Sequence, residues 1–277
     1  MIQRTSYLNE LISWKDQDII KVIRRCGKST LLKQYQDHLK GLGIHESQII
    51  SINFEDLQFE QLLEYHALYS YILSNIIPDQ KMYIFLDEVQ KVKEFEKAVD
   101  SLYIQENIDI YITSSHECLL SKLFYGRAIE ISMLPLSFKE VYQKGTNQDE
   151  AFIQYLKYGD FPYLSHILLN EEKANTYIEG IYNTVIVKDI EEREARKQKD
   201  PNKRNINNLF LLTTIAKYLA STIGSIISIK NVTGYITSTG RKVSPNTVDH
   251  YMQALKESFI FYPVERFDIA GKKIIKS

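Results

Sequence analysis

Along the first 135 residues, short β-branched runs alternate with longer amphipathic ones. This is the pattern of a parallel sheet whose faces are covered by helices. Asp18 to Ile23 (DIIKVI), Ile49 to Phe54 (IISINF), Met82 to Leu86 (MYIFL) and Ile108 to Thr113 (IDIYIT) read as strands, with Ala128 to Ile131 as a fifth. Strands this short and this apolar fit burial on both faces. Between them, Ser29 to Leu42, Leu57 to Ile77 and Phe95 to Gln105 carry helical spacing. After Pro135 the strand signal stops, and Ser137 to Gln143, Glu150 to Tyr158, Glu171 to Thr184 and Asp189 to Lys199 read as helices.

From Asn207 the pattern changes again. Leu209 to Ser221 reads as a helix, Ser228 caps a second that runs to about Ser238, and Ser244-Pro245 opens a third through Lys256, since Ser favours the cap and Pro the first helical position. Phe259 to Arg266 (FIFYPVER) alternates like a strand. Helix, helix, helix and strand in this order predict a winged helix. The expected architecture is therefore α/β: a P-loop NTPase parallel-sheet core (1–135), a helical lid-like subdomain and linker (136–204), and a winged-helix module (205–277).

Composition narrows the picture. A chain of 277 residues with 44% hydrophobic and 25% charged residues suits a globular protein of two or three units. The net charge of −1 supplies no global basic field, so any DNA contact must be local. The basic stretch Arg196 to Arg204 (RKQKDPNKR) beside the module is the candidate for a weak contact, together with the winged helix itself. Two cysteines are too few for a disulfide framework. No stretch approaches the roughly 18 apolar residues that span a bilayer. The expectation is a cytoplasmic protein with no membrane association.

The candidate chemistry lies in the core. Cys26-Gly27-Lys28-Ser29-Thr30 follows the first strand and opens the first helix. There, backbone N–H groups at a helix N-terminus face phosphates, Lys28 reaches the β- and γ-oxygens, and Ser29 holds Mg²⁺. Asp87 and Glu88 end the third strand, where the first carboxylate sits beside the metal and the second polarises an attacking water. Thr113-Ser114-Ser115 ends the fourth strand, and Ser115 is a candidate γ-phosphate sensor. Arg127, before the fifth, is a candidate for neutralising charge in the transition state. In the last helix His250 and Lys256 lie opposite the apolar face, with one basic residue where a DNA-reading helix carries several. No His/Cys/Asp spacing suggests zinc.

These residues carry a family resemblance. IIKVI followed by RRCGKSTLLKQY, then INFED, YIFLDEVQKVKEFEKAVDSL, DIYITSS, GRAIEISMLPLSFKEVY, YLKYGDFPYL, GIYNTVIVKDIEER and KVSPNTVDHYMQALKESFIFYPVERFDIAGKK together span nearly the whole chain. The sequence resembles the bacterial and archaeal AAA-like ATPase family whose members pair this core with a C-terminal domain of unknown function. The resemblance implies ATP binding, with hydrolysis. It assigns the phosphate loop to Gly27, Lys28, Ser29 and Thr30, and the metal and water carboxylates to Asp87 and Glu88. It also places Gly159, Phe161 and Pro162 near the adenine. The partners it implies are ATP with Mg²⁺ and a protein of unknown identity.

The chain departs from that family in two places. A phosphate loop reads G-x4-G-K-S/T, yet the position five before Gly27 is Val22, a strand residue. The family has about three more residues between the counterparts of Ile23 and Arg24, and a similar gap falls between Ser121 and Gly126. Both gaps fall in loops, which favours residues missing from the chain over a degraded site. The restriction-endonuclease-like region that follows in the family is not part of this sequence. Three function classes remain open: an ATPase or nucleotide switch, a winged-helix DNA-binding regulator, and a nucleotide-binding scaffold without turnover.

Overall fold

The structure is a computed structural model of the chain. It describes residues 2–25, 27–114, 124, 126–142, 147–159, 161, 164, 171–184, 208–258 and 260–264. Two compact units emerge, Met1–Leu169 and Asn170–Ser277.

The first unit opens with a helix that the sequence pattern does not announce, α1 (Thr5–Ser13). Then come β1 (Ile20–Arg25), α2 (Lys28–Gly41), β2 (Ile49–Asn53), α3 (Tyr65–Ser74), β3 (Met82–Asp87), α4 (Phe95–Tyr103), β4 (Ile108–Ser114) and β5 (Ala128–Met133). α5 (Phe138–Val141) and α6 (Gln148–Tyr158) close its described part. All five strands are parallel, in the order β2-β3-β4-β1-β5. The first half of the chain is therefore the α/β parallel-sheet core that the apolar runs predict.

Alternation along each strand sorts the side chains to two faces. Ile20, Val22, Ile84, Leu86, Ile110 and Ile112 join α3 and α4 in one apolar cluster. Ile23, Tyr83, Phe85 and Tyr111 face the opposite way and pack with Leu8 and Leu11 of α1 and Leu31, Tyr35 and Leu39 of α2. Two structural consequences follow. The lower half of that second face holds buried polar side chains, Lys21 and Asp109. Asp87 and Thr113, at the same parity, emerge at the strands' C-terminal ends.

One helix differs from expectation. Leu57 to Ile77 is not continuous: a 3-10 turn spans Leu57–Leu62, and α3 begins only at Tyr65. Asp56 caps the turn by accepting from Gln58 N–H at 3.0 Å. Glu64 is extended and forms a bridge to Lys93, while Lys93 N–H donates to Leu63 O at 2.8 Å. That tertiary pairing interrupts a stretch whose spacing alone reads as one helix.

The second unit contains α7 (Glu171–Asn183), α8 (Leu209–Ser221), α9 (Ile229–Ser238) and α10 (Pro245–Glu257). Ser228 accepts from Asn231 N–H and Ser244 from Thr247 N–H, with Pro at the start of α10. Leu212, Ile215, Val232, Ile236, Val248 and Leu255 form its core. Of the predicted closing strand, Phe259 to Arg266, the described residues 260–264 carry no regular structure, and 259, 265 and 266 lie outside the described residues.

Candidate functional site

β1 pairs with β4 as far as Arg24↔Ser114 and with β5 as far as Arg25↔Met133. α2 then starts at Lys28, so Cys26 and Gly27 alone make the connection. Cys26 lies outside the described residues. Gly27 caps α2 in the left-handed region, φ +84°. A Cβ there would meet its nearest neighbours, Arg4 Nη1 and Met133 Cε, at ordinary distances of 3.6 and 3.8 Å. The need for glycine is therefore conformational: a side chain would strain the backbone that turns β1 into α2. The helix's first amide groups, with their partial positive charge, open at this point. Lys28 is buried there, Thr30 is half-buried and Ser29 is exposed.

Lys28 Nζ lies 2.7 Å from Glu88 Oε1. Glu88 follows β3 directly and, unusually for a residue with a side chain, adopts φ +56°, ψ +44°. This conformation costs roughly 1 kcal/mol. The surroundings hold it in place. Its N–H donates to Thr113 Oγ1 at 2.9 Å, and the Thr113 hydroxyl donates to Asp87 Oδ1. Thr113 is fully buried, so one hydroxyl fixes both the carboxylate that ends β3 and the turn that aims the next one. Gln90 Nε2 donates to the other Glu88 oxygen, Oε2. Lys28, Asp87, Glu88 and Thr113 thus meet at the C-terminal edge of the sheet, where ligands of open α/β sheets bind.

Other predicted residues fall elsewhere. Arg127 sits just before β5, at the N-terminal edge of the parallel sheet, where its carbonyl accepts from Ile20 N–H. Its guanidinium pairs with Asp100 at 2.8 Å in an exposed ion pair. The structure therefore does not bring Arg127 to Lys28 and Glu88, which gather at the other edge. Ser115, Pro162 and the Arg196–Arg204 stretch lie outside the described residues. Phe161 and Gly159 line a cavity of about 530 Å³ with Phe138, Tyr142, Tyr155 and Tyr158. Tyr155 anchors this wall by donating to Leu136 O at 2.8 Å. Among the described residues no group of three or more His, Cys, Asp or Glu is placed to hold a metal. Mg²⁺ needs less, since it keeps waters and phosphate oxygens and takes one or two protein ligands. Ser29 and Asp87 suit that donor set.

Three further side chains around this edge carry no local sequence signal of their roles. Thr113 belongs to a polar strand end and nothing more marks it. Gln90, two residues past Glu88, has its Oε1 buried without a partner. Arg4, just ahead of α1, is 2% exposed, and its Nη1 is likewise buried without a partner. Spacing cannot reveal Thr113 and Arg4, because their roles depend on contacts across the fold; Gln90 acts locally, on a Glu88 that the turn after β3 aims.

The sheet order, the strand–glycine–helix turn and the carboxylates after β3 define the first unit as an AAA-type, P-loop-like α/β domain. Comparison with known proteins agrees. An AAA-domain family model matches residues 18–142, and a model described as a domain of unknown function (DUF8612) matches residues 149–277. An uncharacterized protein of Haemophilus influenzae is 33% identical over 291 positions, covering all of this chain and 70% of the relative. The chain belongs to the family of that protein. The uncharacterized protein MJ1544 of Methanocaldococcus jannaschii is 27% identical over 92% of the chain, which spans 58% of that relative. Among solved structures, a DNA polymerase III gamma subunit-related protein of Thermotoga maritima aligns over 90% of this chain and 92% of its own, at 12% identity and TM-score 0.39. A chain from a structure of Drosophila ORC bound to AT-rich DNA and Cdc6 aligns over 92% and 80%, at 10% identity and TM-score 0.36. Likenesses this distant bear no functional weight. No helix among the described residues is long and apolar enough to cross a membrane.

Proposed function

We propose that the first unit binds Mg-ATP at the C-terminal edge of its sheet and hydrolyses it. The observation that supports this reading is the meeting of Lys28, Asp87, Glu88 and Thr113 beside the glycine that opens α2. Gly27, Lys28, Ser29 and Thr30 would hold phosphate through the helix-terminal amides and the Lys28 ammonium. Ser29 and Asp87 would hold Mg²⁺, which supplies charge neutralisation at the phosphates. Lys28, turned toward phosphate, would leave Glu88 held by Gln90 and placed to accept the proton of an attacking water. The aromatic cavity around Phe161 and Tyr158 has room for the adenine ring.

The two-residue link between β1 and α2 supports a second reading, a nucleotide-binding scaffold without turnover. It offers fewer amides than the G-x4-G turn. In the second unit we assign α8–α10 to a winged-helix-like relay toward a protein partner. The exposed residues of α10 include Asn246, Asp249, Gln253 and Lys256, one acid and one base, which gives DNA little to bind beyond weak, salt-dependent attraction. A cytoplasmic location fits this reading.

Calorimetric titration with Mg-ATP, followed by phosphate release, tests the site on three proteins. The parent binds, Lys28→Ala binds about 10²-fold more weakly, and Glu88→Gln binds like the parent while releasing phosphate ~10²-fold more slowly or worse. Equal affinity of Lys28→Ala and parent would remove the site. Binding by the parent without any phosphate release would select the scaffold reading.

A further inference from the structure

Arg4 stands out because three of its four nitrogens have a hydrogen-bond partner and one does not. Its backbone N–H donates to Gln34 Oε1 at 3.2 Å, and Gln34 Nε2 donates to Ile2 O at 2.9 Å, so α2 clasps the segment that leads into α1. The guanidinium lies 4.8 Å from the centre of the Tyr7 ring. Its Nε donates to Glu140 Oε1 at 2.8 Å and its Nη2 to Leu134 O at 2.6 Å. Nη1 is buried and donates to nothing. An orphaned cationic donor in a side chain 3% exposed is costly, of a kind that native proteins rarely keep without use.

The position of that donor bears on its use. The spot where a Cβ of Gly27 would stand is 3.6 Å from Nη1. The orphan therefore lies against the residue that opens α2, where the helix amides also face outward. Nη1 thus stands beside the residue that caps α2, while Glu140 pairs with Arg4 at Nε. A planar guanidinium fork already locked at Nε and Nη2 presents Nη1 at little entropic cost.

We propose that Arg4 is a nucleotide-binding residue, with Nη1 donating to a phosphate oxygen of the nucleotide held at Gly27. The proposal rests on the Mg-ATP reading above and adds to it a contact from outside the β1–α2 turn. It also gives the phosphate a direct connection to α5, because the same guanidinium grips Glu140.

The experiment measures affinities of the full chain for Mg-ATP and for magnesium tripolyphosphate, with thermal unfolding of each protein in the absence of ligand. The proteins are the parent, Lys28→Ala, Arg4→Gln, Arg4→Lys and Glu140→Ala. Arg4→Gln is expected to weaken both ligands about tenfold or more, as loss of a charge-assisted bond should. Arg4→Lys is expected to fall between it and the parent, and serves alone if Arg4→Gln does not fold. Glu140→Ala breaks the ion pair but keeps the guanidinium, so it should bind within about threefold of the parent despite some loss of thermal stability. If Arg4 were only structural, Glu140→Ala and Arg4→Gln would lose stability and affinity together, which overturns the proposal. Parent-like affinity in Arg4→Gln, or in Arg4→Lys where that variant serves alone, overturns it too. A loss confined to Mg-ATP, with tripolyphosphate unaffected, overturns the phosphate contact. Lys28→Ala then separates the two readings. If it loses affinity while the Arg4 variants do not, only this proposal fails; if the parent binds neither ligand, the nucleotide reading fails with it.

Discussion

Lys21 and Lys28 are both buried and both pair with a carboxylate from another segment, Lys21 at the start of β1 and Lys28 at the start of α2, three residues past its end. They sit at opposite edges of the sheet. At the lower edge Lys21 and Asp109 are almost wholly enclosed, 0% and 1% exposed, whereas Lys28 and Glu88 at the upper edge are 10% and 11% exposed. Below, every polar atom of the pair has a partner. Asp109 Oδ1 takes Lys21, and its Oδ2 takes the Tyr111 hydroxyl at 2.7 Å and Asp16 N–H at 3.0 Å. Lys21 also donates to Gln17 O at 2.8 Å, and Tyr83 OH donates to Asp16 at 2.9 Å. Above, Arg4 Nη1 and Gln90 Oε1 have no partner, and Glu88 holds a left-handed backbone. The same pairing chemistry closes one edge and leaves the other open. A completed network fixes the fold, while an incomplete one keeps donors and acceptors for a ligand at some cost in stability.

The sharpest way to break this contrast is to remove each lysine in turn. Lys21→Met leaves Asp109 buried and unpaired, which should cost about 3–5 kcal/mol of stability. Mg-ATP affinity of the folded protein should not change. Lys28→Met should do the reverse, moving stability by no more than about 1 kcal/mol, because its partner Glu88 can relax toward solvent. Affinity should fall about 10²-fold. Trp14 is the single tryptophan and lies at the end of α1 in the first unit, so urea unfolding read by its fluorescence reports on this unit. Similar destabilisation by both substitutions would mean that the two edges do the same work.

Thr113 probes the upper edge more gently. Thr113→Val keeps the shape but strips the hydroxyl that serves Asp87 and Glu88 N–H. A buried N–H left unsatisfied should cost about 1–3 kcal/mol. Phosphate release should slow about tenfold, as Glu88 loses its fixed turn. Thr113→Ser restores the hydroxyl and should recover most of both. A Val variant with parent-like turnover would reduce Thr113 to packing.

Much of the upper edge is legible in the sequence. Gly27, Lys28, Asp87 and Glu88 lie within a few residues of strand ends, and a parallel sheet brings such ends together whatever the details. The caps Ser228 and Ser244 are legible for a similar reason, since each acts on an amide three residues away. The lower edge is not. Lys21 and Asp109 are 88 residues apart, and a lysine inside an apolar run carries no mark of its partner. α1 leaves little trace because it buries only Leu8 and Leu11 and has no side-chain cap. The structure keeps Arg127 from Lys28 and Glu88 for a reason that the sequence does contain: a residue preceding a parallel strand lies at the N-terminal edge.

The mildest test concerns Tyr111 and the alkaline limb. Burial pushes its hydroxyl far above the usual value, and the charge of Asp109 pushes it further. Burial likewise raises Tyr35, whose hydroxyl lies 2.9 Å from that of Tyr111, and Tyr83. A tyrosine raised in the folded state loses its proton only in the unfolded chain as pH passes about 10. Its contribution to stability is therefore complete below that pH and disappears above it. Lys21 runs the other way: burial lowers it, with Asp109 opposing. Between its lowered value and 10.5 the unfolded chain holds the extra proton, so stability there rises with pH. That compensation ends near pH 10.5, after which Lys15, raised by its hydrogen bonds to Asp16 and Tyr83 against the pull of burial, adds to the loss. Tyr111→Phe deletes two hydrogen bonds, to Asp109 and to Tyr35, together about 1–2 kcal/mol near pH 7. It also deletes a slope of about 1.4 kcal/mol per pH unit above pH 10. The variant should start less stable, and its urea midpoint should meet that of the parent near about pH 11. A gap that stays constant from about pH 7 to pH 11 would mean that the hydroxyl ionises as easily in the folded protein as in the unfolded chain. The lower edge would then be no more closed than the upper.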